Sequence, residues 1–250
     1  MIKEDKNMEN LHIDYYDITS YHVDFKQHLS PVSLFCFLQE SAVKHAHSKG
    51  FGLSHLAERN ELWVLAKMHV RIRRMPDWME KIRSETWGKE PELLTAFRDF
   101  EFFDTDNQSI ICATSSWHIL NRQTHRPTPL SHFADDFPVM NRHAIEEKPH
   151  KIQIPVSNAV RSKVQAILPS DIDMNLHVNN TKYVQWAIDC VPFAFQKQHT
   201  ISEISVNFLS EARMGEHYYI ETYQNELKFT HLILSEKENR KLAAVEMIMK

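Results

Sequence analysis

Residues 32–49 read VSLFCFLQESAVKHAHSK. Leu34, Leu38, Ala42 and Ala46 recur at helical spacing with Phe35 and Phe37 beside them, so one face is apolar enough to be buried. Ser30 and Pro31 stand where a helix starts, and Gly50 stands where one stops. Strand-like runs follow at 62–74, 80–88, 93–104 and 109–120, the last two joined by the turn-rich Asp104-Thr105-Asp106-Asn107.

Downstream the order recurs. A helical pattern over 180–191 closes at Pro192, and strand-like runs occupy 201–209, 217–224, 227–235 and 241–249. A shift of 149 places Asp24 on Asp173 and His28 on His177. A shift of 136 places Val70 on Val206, Ile72 on Phe208 and Glu85-Thr86-Trp87 on Glu221-Thr222-Tyr223. The 13-residue difference falls at Gly50–Asn60. Helix then antiparallel strands, twice, is an internal duplication; the expected fold is α+β, a tandem hotdog with each sheet wrapped round a central helix. The boundaries expected are 1–130 for the first unit, a Pro-rich linker over 131–155, and 156–250 for the second.

Composition narrows the function. The chain has 250 residues, 42% hydrophobic and 25% charged, with net charge −4. Such a charge gives no nucleic-acid footprint. Only four glycines occur, and no GxGxxG, GxxxxGK[ST] or GxSxG is present, which removes dinucleotide-binding, P-loop and α/β-hydrolase readings. Cys36, Cys112 and Cys190 are odd in number and far apart, as suits a reducing compartment. No apolar run reaches membrane-spanning length. The start, MIKEDKNMEN, lacks signal or transit character, so a bacterial, cytoplasmic protein is expected. No HExxH exists, and His45-Ala46-His47 lacks metal-ligand spacing; no metal and no cofactor are expected. Arg71-Ile72-Arg73-Arg74 and Lys148–Lys163 are basic stretches that suit either an acidic partner or an ordinary solvated edge and linker.

The densest polar segment is Ser170-Asp171-Ile172-Asp173-Met174-Asn175-Leu176-His177-Val178-Asn179-Asn180-Thr181. If it is extended, Asp173, Asn175 and His177 share one face and Met174, Leu176 and Val178 face the core. A carboxylate, an amide and an imidazole so placed can fix a tautomer and polarise a substrate oxygen. An Asp- and Asn-rich turn capping the next helix equally accounts for Asp171, Asn179 and Asn180. That helix would bury Tyr183, Ala187, Cys190, Val191 and Ala194, and its first amides would favour developing negative charge.

Asp171 through Trp186, D-x-D-x-N-x-H-V-N-N-x-x-Y-x-x-W, closely resembles the signature of plant and bacterial acyl-ACP thioesterases. Leu38-Gln39-Glu40-Ser41-Ala42 with His45-Ala46, Trp63-Val64-Leu65, Arg98-Asp99-Phe100 and Trp117 extend the likeness. The resemblance implies a tandem hotdog that hydrolyses fatty acyl-ACP to free fatty acid and holo-ACP. Its partner would be acyl carrier protein, as a monomer or homodimer without nucleic acid or membrane. Acyl-CoA, another thioester, or non-catalytic acyl-thioester binding are the alternatives.

By the same resemblance Asp173, Asn175 and His177 match the family's Asp-Asn-His, and Asn179, Asn180 and Trp186 are expected to bind substrate. The family carries a Glu-Cys pair about 35 residues on, with accounts divided between a cysteine nucleophile and a glutamate-activated water. Here that pair is Glu211-Ala212. Alanine is no nucleophile, and Cys190 reads as a core cysteine. The implied mechanism is direct hydrolysis, with Glu211 as base on water and His177 assisting. Asp173 orients its neighbours, and Asn175 with the helix amides holds the oxyanion. The first copy, with Asp24, Lys26 and His28 and with Asp77-Trp78 near the place of Glu211-Ala212, looks incomplete. It is expected to shape the acyl pocket through helix 32–49 and strand 62–74.

Overall fold

The computed structural model describes residues 10–130 and 137–250. The chain divides into two compact units at Pro149/His150. Residues 1–9, and 131–136 of the expected linker, lie outside the described residues.

The first unit holds β1 (Leu11–Asp17), α1 (Pro31–Ser48), α2 (Leu53–Glu58), β2 (Glu61–Ile72), β3 (Lys81–Glu92), β4 (Thr95–Phe103) and β5 (Ser109–Asn121). Its antiparallel strands lie in the order β1-β3-β4-β5-β2. The second holds β6 (Val160–Arg161), β7 (Gln165–Ala166), α3 (Asn180–Asp189), α4 (Phe193–Gln198), β8 (Ile201–Phe208), β9 (His217–Asn225), β10 (Lys228–Ser235) and β11 (Lys241–Met249). Its order is β8-β11-β10-β9-β6, with β7 also on β9. Each sheet packs a helix. α1 lies on β1 and β3 and buries Leu34, Phe35, Phe37, Leu38, Ser41, Ala42 and His45. α3 lies on β10 and β11 and buries Tyr183, Val184, Trp186 and Ala187. This is the tandem hotdog.

Ladder register makes the duplication concrete. Across the first sheet Val70 faces Ala113, Ala113 faces Phe100, Phe100 faces Thr86 and Thr86 faces His12. Across the second the same path runs Val206, Val245, His231, Thr222, Val160. The shift of 136 that pairs Val70 with Val206 also pairs Thr86 with Thr222. α3 and α4 together span the place of α1. Pro192 divides them because it lacks an N–H and crowds the preceding turn. The extra residues of the first copy form α2.

Two differences from the sequence reading have a physical cause. A fifth strand, β1 or β6, opens each unit. In β1 the usual alternation is inverted: Ile13 and Tyr15 are exposed while Asp14 turns inward, its Oδ2 accepting from Ser41 Oγ at 2.7 Å and its Oδ1 from Lys44 Nζ at 3.0 Å. Residues 137–149 also dock on the first unit. Met140 N donates to Gly88 O at 2.9 Å, and Trp87 Nε1 to Arg142 O at 2.8 Å. Gly88 is needed there, since a Cβ would lie 2.3 Å from Pro138 O.

His231 is fully buried on β10, with Nδ1 3.0 Å from Thr222 Oγ1. Burial pushes its pKa down from 6.5 to about 4. The unfolded chain therefore takes up this proton first as pH falls. The stability His231 gives is complete above pH 6.5 and is lost between 6.5 and about 4, a span worth on the order of 3 kcal/mol. His45, likewise buried and set beside Arg98, is pushed down to about 2 and acts in the same direction. The gap between urea midpoints at pH 7 and 4.5 is expected to narrow in His231→Phe, which recreates the Thr86–Phe100 pair of the first sheet and leaves the share due to His45. An unchanged difference between the two pH values removes His231 as a cause.

Candidate active site

The segment 172–178 is a tight reversal. Asp173 N donates to His177 O at 2.8 Å, Leu176 N to Asp173 O at 3.0 Å, and Ile172 bridges Val178. Asp173 Oδ1 accepts from Asn175 N at 2.8 Å, and Leu176 takes φ +64°. This corrects the expectation of an extended strand with an apolar inner face. Met174 and Leu176 are 82% and 75% exposed, and only Val178 enters the core. Asp173 acts on the loop backbone; the local preference of Asp for bonding the amide two residues on prevails over alternation.

The reversal delivers one side chain to a distant partner. Val178 N donates to Ala212 O at 2.9 Å, which sets His177 beside Glu211. His177 Nε2 then lies 3.1 Å from Glu211 Oε2, and Arg213 Nη2 lies 3.6 Å from the same oxygen. Both His177 and Glu211 are part-exposed, so water reaches the pair. The Glu211 loop is fastened from behind. Arg240 donates through Nη1 to Glu211 O and pairs through Nη2 with Glu216 at 2.7 Å, and Glu216 Oε1 accepts from Arg213 N at 3.0 Å. An imidazole against a carboxylate at a solvent-reached surface can accept a proton from water and hold that water in place.

The other expected residues are distributed as follows. Asn175 is exposed beside the reversal, and among the described residues its side-chain amide makes no hydrogen bond. Asn179 is the cap of α3, its Oδ1 accepting from Thr181 N at 2.9 Å and Thr181 Oγ1 at 2.8 Å. Lys182 N donates to Asn179 O at 2.9 Å. Helix amides were expected to hold the oxyanion, but the cap already engages those of Thr181 and Lys182. Asn180, the first helical residue, keeps its N–H outside the cap. Trp186 is buried, its ring stacked on Tyr218 at 3.8 Å between centroids and edge-on to Tyr183. Asp171 is a scaffold residue: Oδ2 accepts from Leu168 N, its carbonyl from Asn179 N, and Oδ1 pairs with Lys182. Sequence reading missed Arg213 and Arg240; only the fold of the 209–217 loop brings them to Glu211.

Cys190 ends α3 half-buried, and burial pushes its thiol up while Thr222 opposes this with a hydrogen bond. A thiol so placed holds little thiolate at neutral pH. Cys190→Ala is expected to keep turnover within about twofold of wild type; a folded variant without activity restores covalent catalysis. The basic stretches are largely engaged: Arg74 pairs with Glu80 and Asp104, Arg71 with Glu147, Lys148 with Glu92, and Arg161 stacks on Tyr219.

Residues 9–136 match the model of the acyl-ACP thioesterase N-terminal domain, and residues 157–249 that of the C-terminal domain. The chain belongs to the acyl-ACP thioesterase family. It is 27% identical to an acyl-[acyl-carrier-protein] hydrolase of Cuphea viscosissima, over 79% of this chain and 51% of that one. It is 26% identical to oleoyl-acyl carrier protein thioesterase 1 of Arabidopsis thaliana, over 80% and 60%. The chain thus spans between half and three-fifths of the length of these curated relatives. An acyl-ACP thioesterase structure from Bacteroides thetaiotaomicron superposes with TM-score 0.90 at 25% identity, covering 98% of this chain and 99% of that one. Against the Glu-Cys expected for an acyl-ACP thioesterase, Glu211-Ala212 keeps the acid and places a buried alanine after it.

Proposed function

We propose that this acyl-ACP thioesterase family member hydrolyses the thioester of fatty acyl-ACP, releasing free fatty acid and holo-ACP and so ending chain elongation. The observation that carries the reading is the 3.1 Å pair of His177 and Glu211 at the start of α3. Glu211 takes a proton from water held against His177, and the water oxygen attacks the thioester carbon. In this reading Asn175 and the N–H of Asn180 donate to the oxyanion. Asp173 holds the reversal that presents His177. The thiolate leaves with the proton that the base took up. A reducing, cytoplasmic setting belongs to this reading, supported by an odd number of widely spaced cysteines, Cys36, Cys112 and Cys190.

The test is thiol release from a panel of acyl-ACPs, about C8 to C18, with the matching acyl-CoA esters alongside and His177→Ala as control. Hydrolysis of acyl-ACP that falls by about two orders of magnitude in His177→Ala is expected. Faster hydrolysis of the CoA esters moves the substrate class. Tight acyl-ACP binding without hydrolysis makes the chain a binding protein.

A further inference from the structure

The loop that presents His177 has a bond-for-bond counterpart in the first unit. Asp24 N donates to His28 O at 2.8 Å and Gln27 N to Asp24 O at 3.0 Å, as Asp173 N does to His177 O and Leu176 N to Asp173 O. Asp24 Oδ1 accepts from Lys26 N at 2.8 Å, the distance from Asp173 Oδ1 to Asn175 N. Gln27 has φ +64°, the same as Leu176. Val23 bridges Leu29 as Ile172 bridges Val178, and Ser30 caps α1 as Asn179 caps α3. Leu29 N donates to Pro76 O at 2.7 Å, where Val178 N donates to Ala212 O. Pro76 therefore stands for Ala212, Met75 for Glu211 and Asp77 for Arg213. This moves the alignment two residues from the expectation that Asp77-Trp78 stands near the place of Glu211-Ala212.

A carboxylate nevertheless reaches the imidazole. His28 Nε2 lies 3.3 Å from Asp77 Oδ1, the same ring nitrogen that meets Glu211 in the second unit. The acid has changed sequence position while the pair has kept its geometry. Lys26 stands at the place of Asn175, a cation in place of an amide donor. His28 is 38% and Asp77 70% exposed at the side-chain level, so water reaches both freely. Tyr21, Phe25, Trp78 and Met79 on the same two segments are exposed, and Trp78 N is tied to Gln27 O at 2.8 Å.

We propose that His28 and Asp77 form a second hydrolytic centre in this chain, one that takes short acyl thioesters of small thiols from solvent. Water attacks the acyl carbon and its proton passes to the His28–Asp77 pair. The carbon–sulfur bond then breaks, and the thiolate takes that proton as it leaves. Lys26 meets the developing oxyanion. The open setting suits a short acyl group and a small thiol, because His28 and Asp77 both stand at the solvent surface. The proposal rests on the reading of His177 and Glu211 given above.

The test uses the full chain with Glu211→Gln, S-acetyl-N-acetylcysteamine as substrate, and thiol release as readout. A residual rate above buffer is expected. It should fall about tenfold or more on adding His28→Ala, fall comparably on adding Asp77→Asn, and hold on adding His125→Ala, an exposed histidine elsewhere in the unit. A residual at the buffer rate, or one indifferent to His28, overturns the proposal. A loss with His28→Ala but not with Asp77→Asn also overturns it, because that is the behaviour of a lone surface imidazole. Long-chain acyl-ACP hydrolysis by the wild-type chain is measured in parallel. If it proceeds while no His28-dependent residual exists, only this inference fails. If no acyl-ACP is hydrolysed while the short-thioester rate depends on His28 and Asp77, only the earlier reading fails.

Discussion

Glu211→Gln is expected to lower turnover on acyl-ACP by about two orders of magnitude or more, with the unfolding midpoint unchanged. The amide matches the carboxylate in size but cannot take the proton of water. The loop that presents it depends little on the carboxylate: Arg240 grips the Glu211 carbonyl, and Val178 N grips that of Ala212. The loss should therefore appear in kcat, with KM little changed. Steady-state kinetics on one acyl-ACP, with thermal unfolding of the same preparation, separates lost chemistry from a lost fold. A folded variant near wild-type turnover removes Glu211 as the base.

Lys89→Met is expected to cost about 3–5 kcal/mol of stability, lowering Tm by roughly 10 °C. Lys89 Nζ lies 3.3 Å from Asp99 Oδ2, both side chains buried, and donates to Ile145 O at 3.1 Å. Asp99 Oδ2 also accepts from Ala144 N at 2.8 Å. Without the ammonium, the Asp99 carboxylate is left in an interior that already pushes its pKa up by desolvation. The double variant Lys89→Met, Asp99→Asn removes that stranded charge and should recover at least half of the loss. The single-variant deficit should also narrow as pH falls, because protonated Asp99 no longer needs a cation. Thermal unfolding of wild type and both variants at pH 7 and 5 measures this. A single variant within 2 °C of wild type, a margin of about 1 kcal/mol, would show that the pair contributes little.

Much of the fold is legible in local pattern. α1 lies within a residue of its expected bounds because Ser30 and Pro31 start it and its apolar spacing is regular. The strands after each helix alternate or run apolar as buried strands do, and their bounds shift by only a few residues. β1 escapes the pattern because its inward residues are polar, satisfied by α1 rather than by apolar packing. β6 and β7, at two residues each, are too short to show a period. The residues 137–149 read as linker because docked backbone next to proline has no periodicity, although Gly88 in a strand marks the close approach.

The sequence by itself determined the duplication, the family signature and the residue types of the site: Asp173, Asn175, His177 and Glu211 are all present, with alanine where a nucleophilic cysteine would stand. Those features are local or comparative, and a linear reading holds them. Only the tertiary structure decided which residues meet. The positive φ at Leu176 turns an apparent strand into a reversal, and one backbone bond from Val178 to Ala212 brings Glu211 to His177. The equivalent bond from Leu29 to Pro76 brings Asp77 to His28 from a different alignment position. Side-chain encounters across tens of residues are set by strand register and loop dihedrals, and neither leaves a periodic trace in the chain.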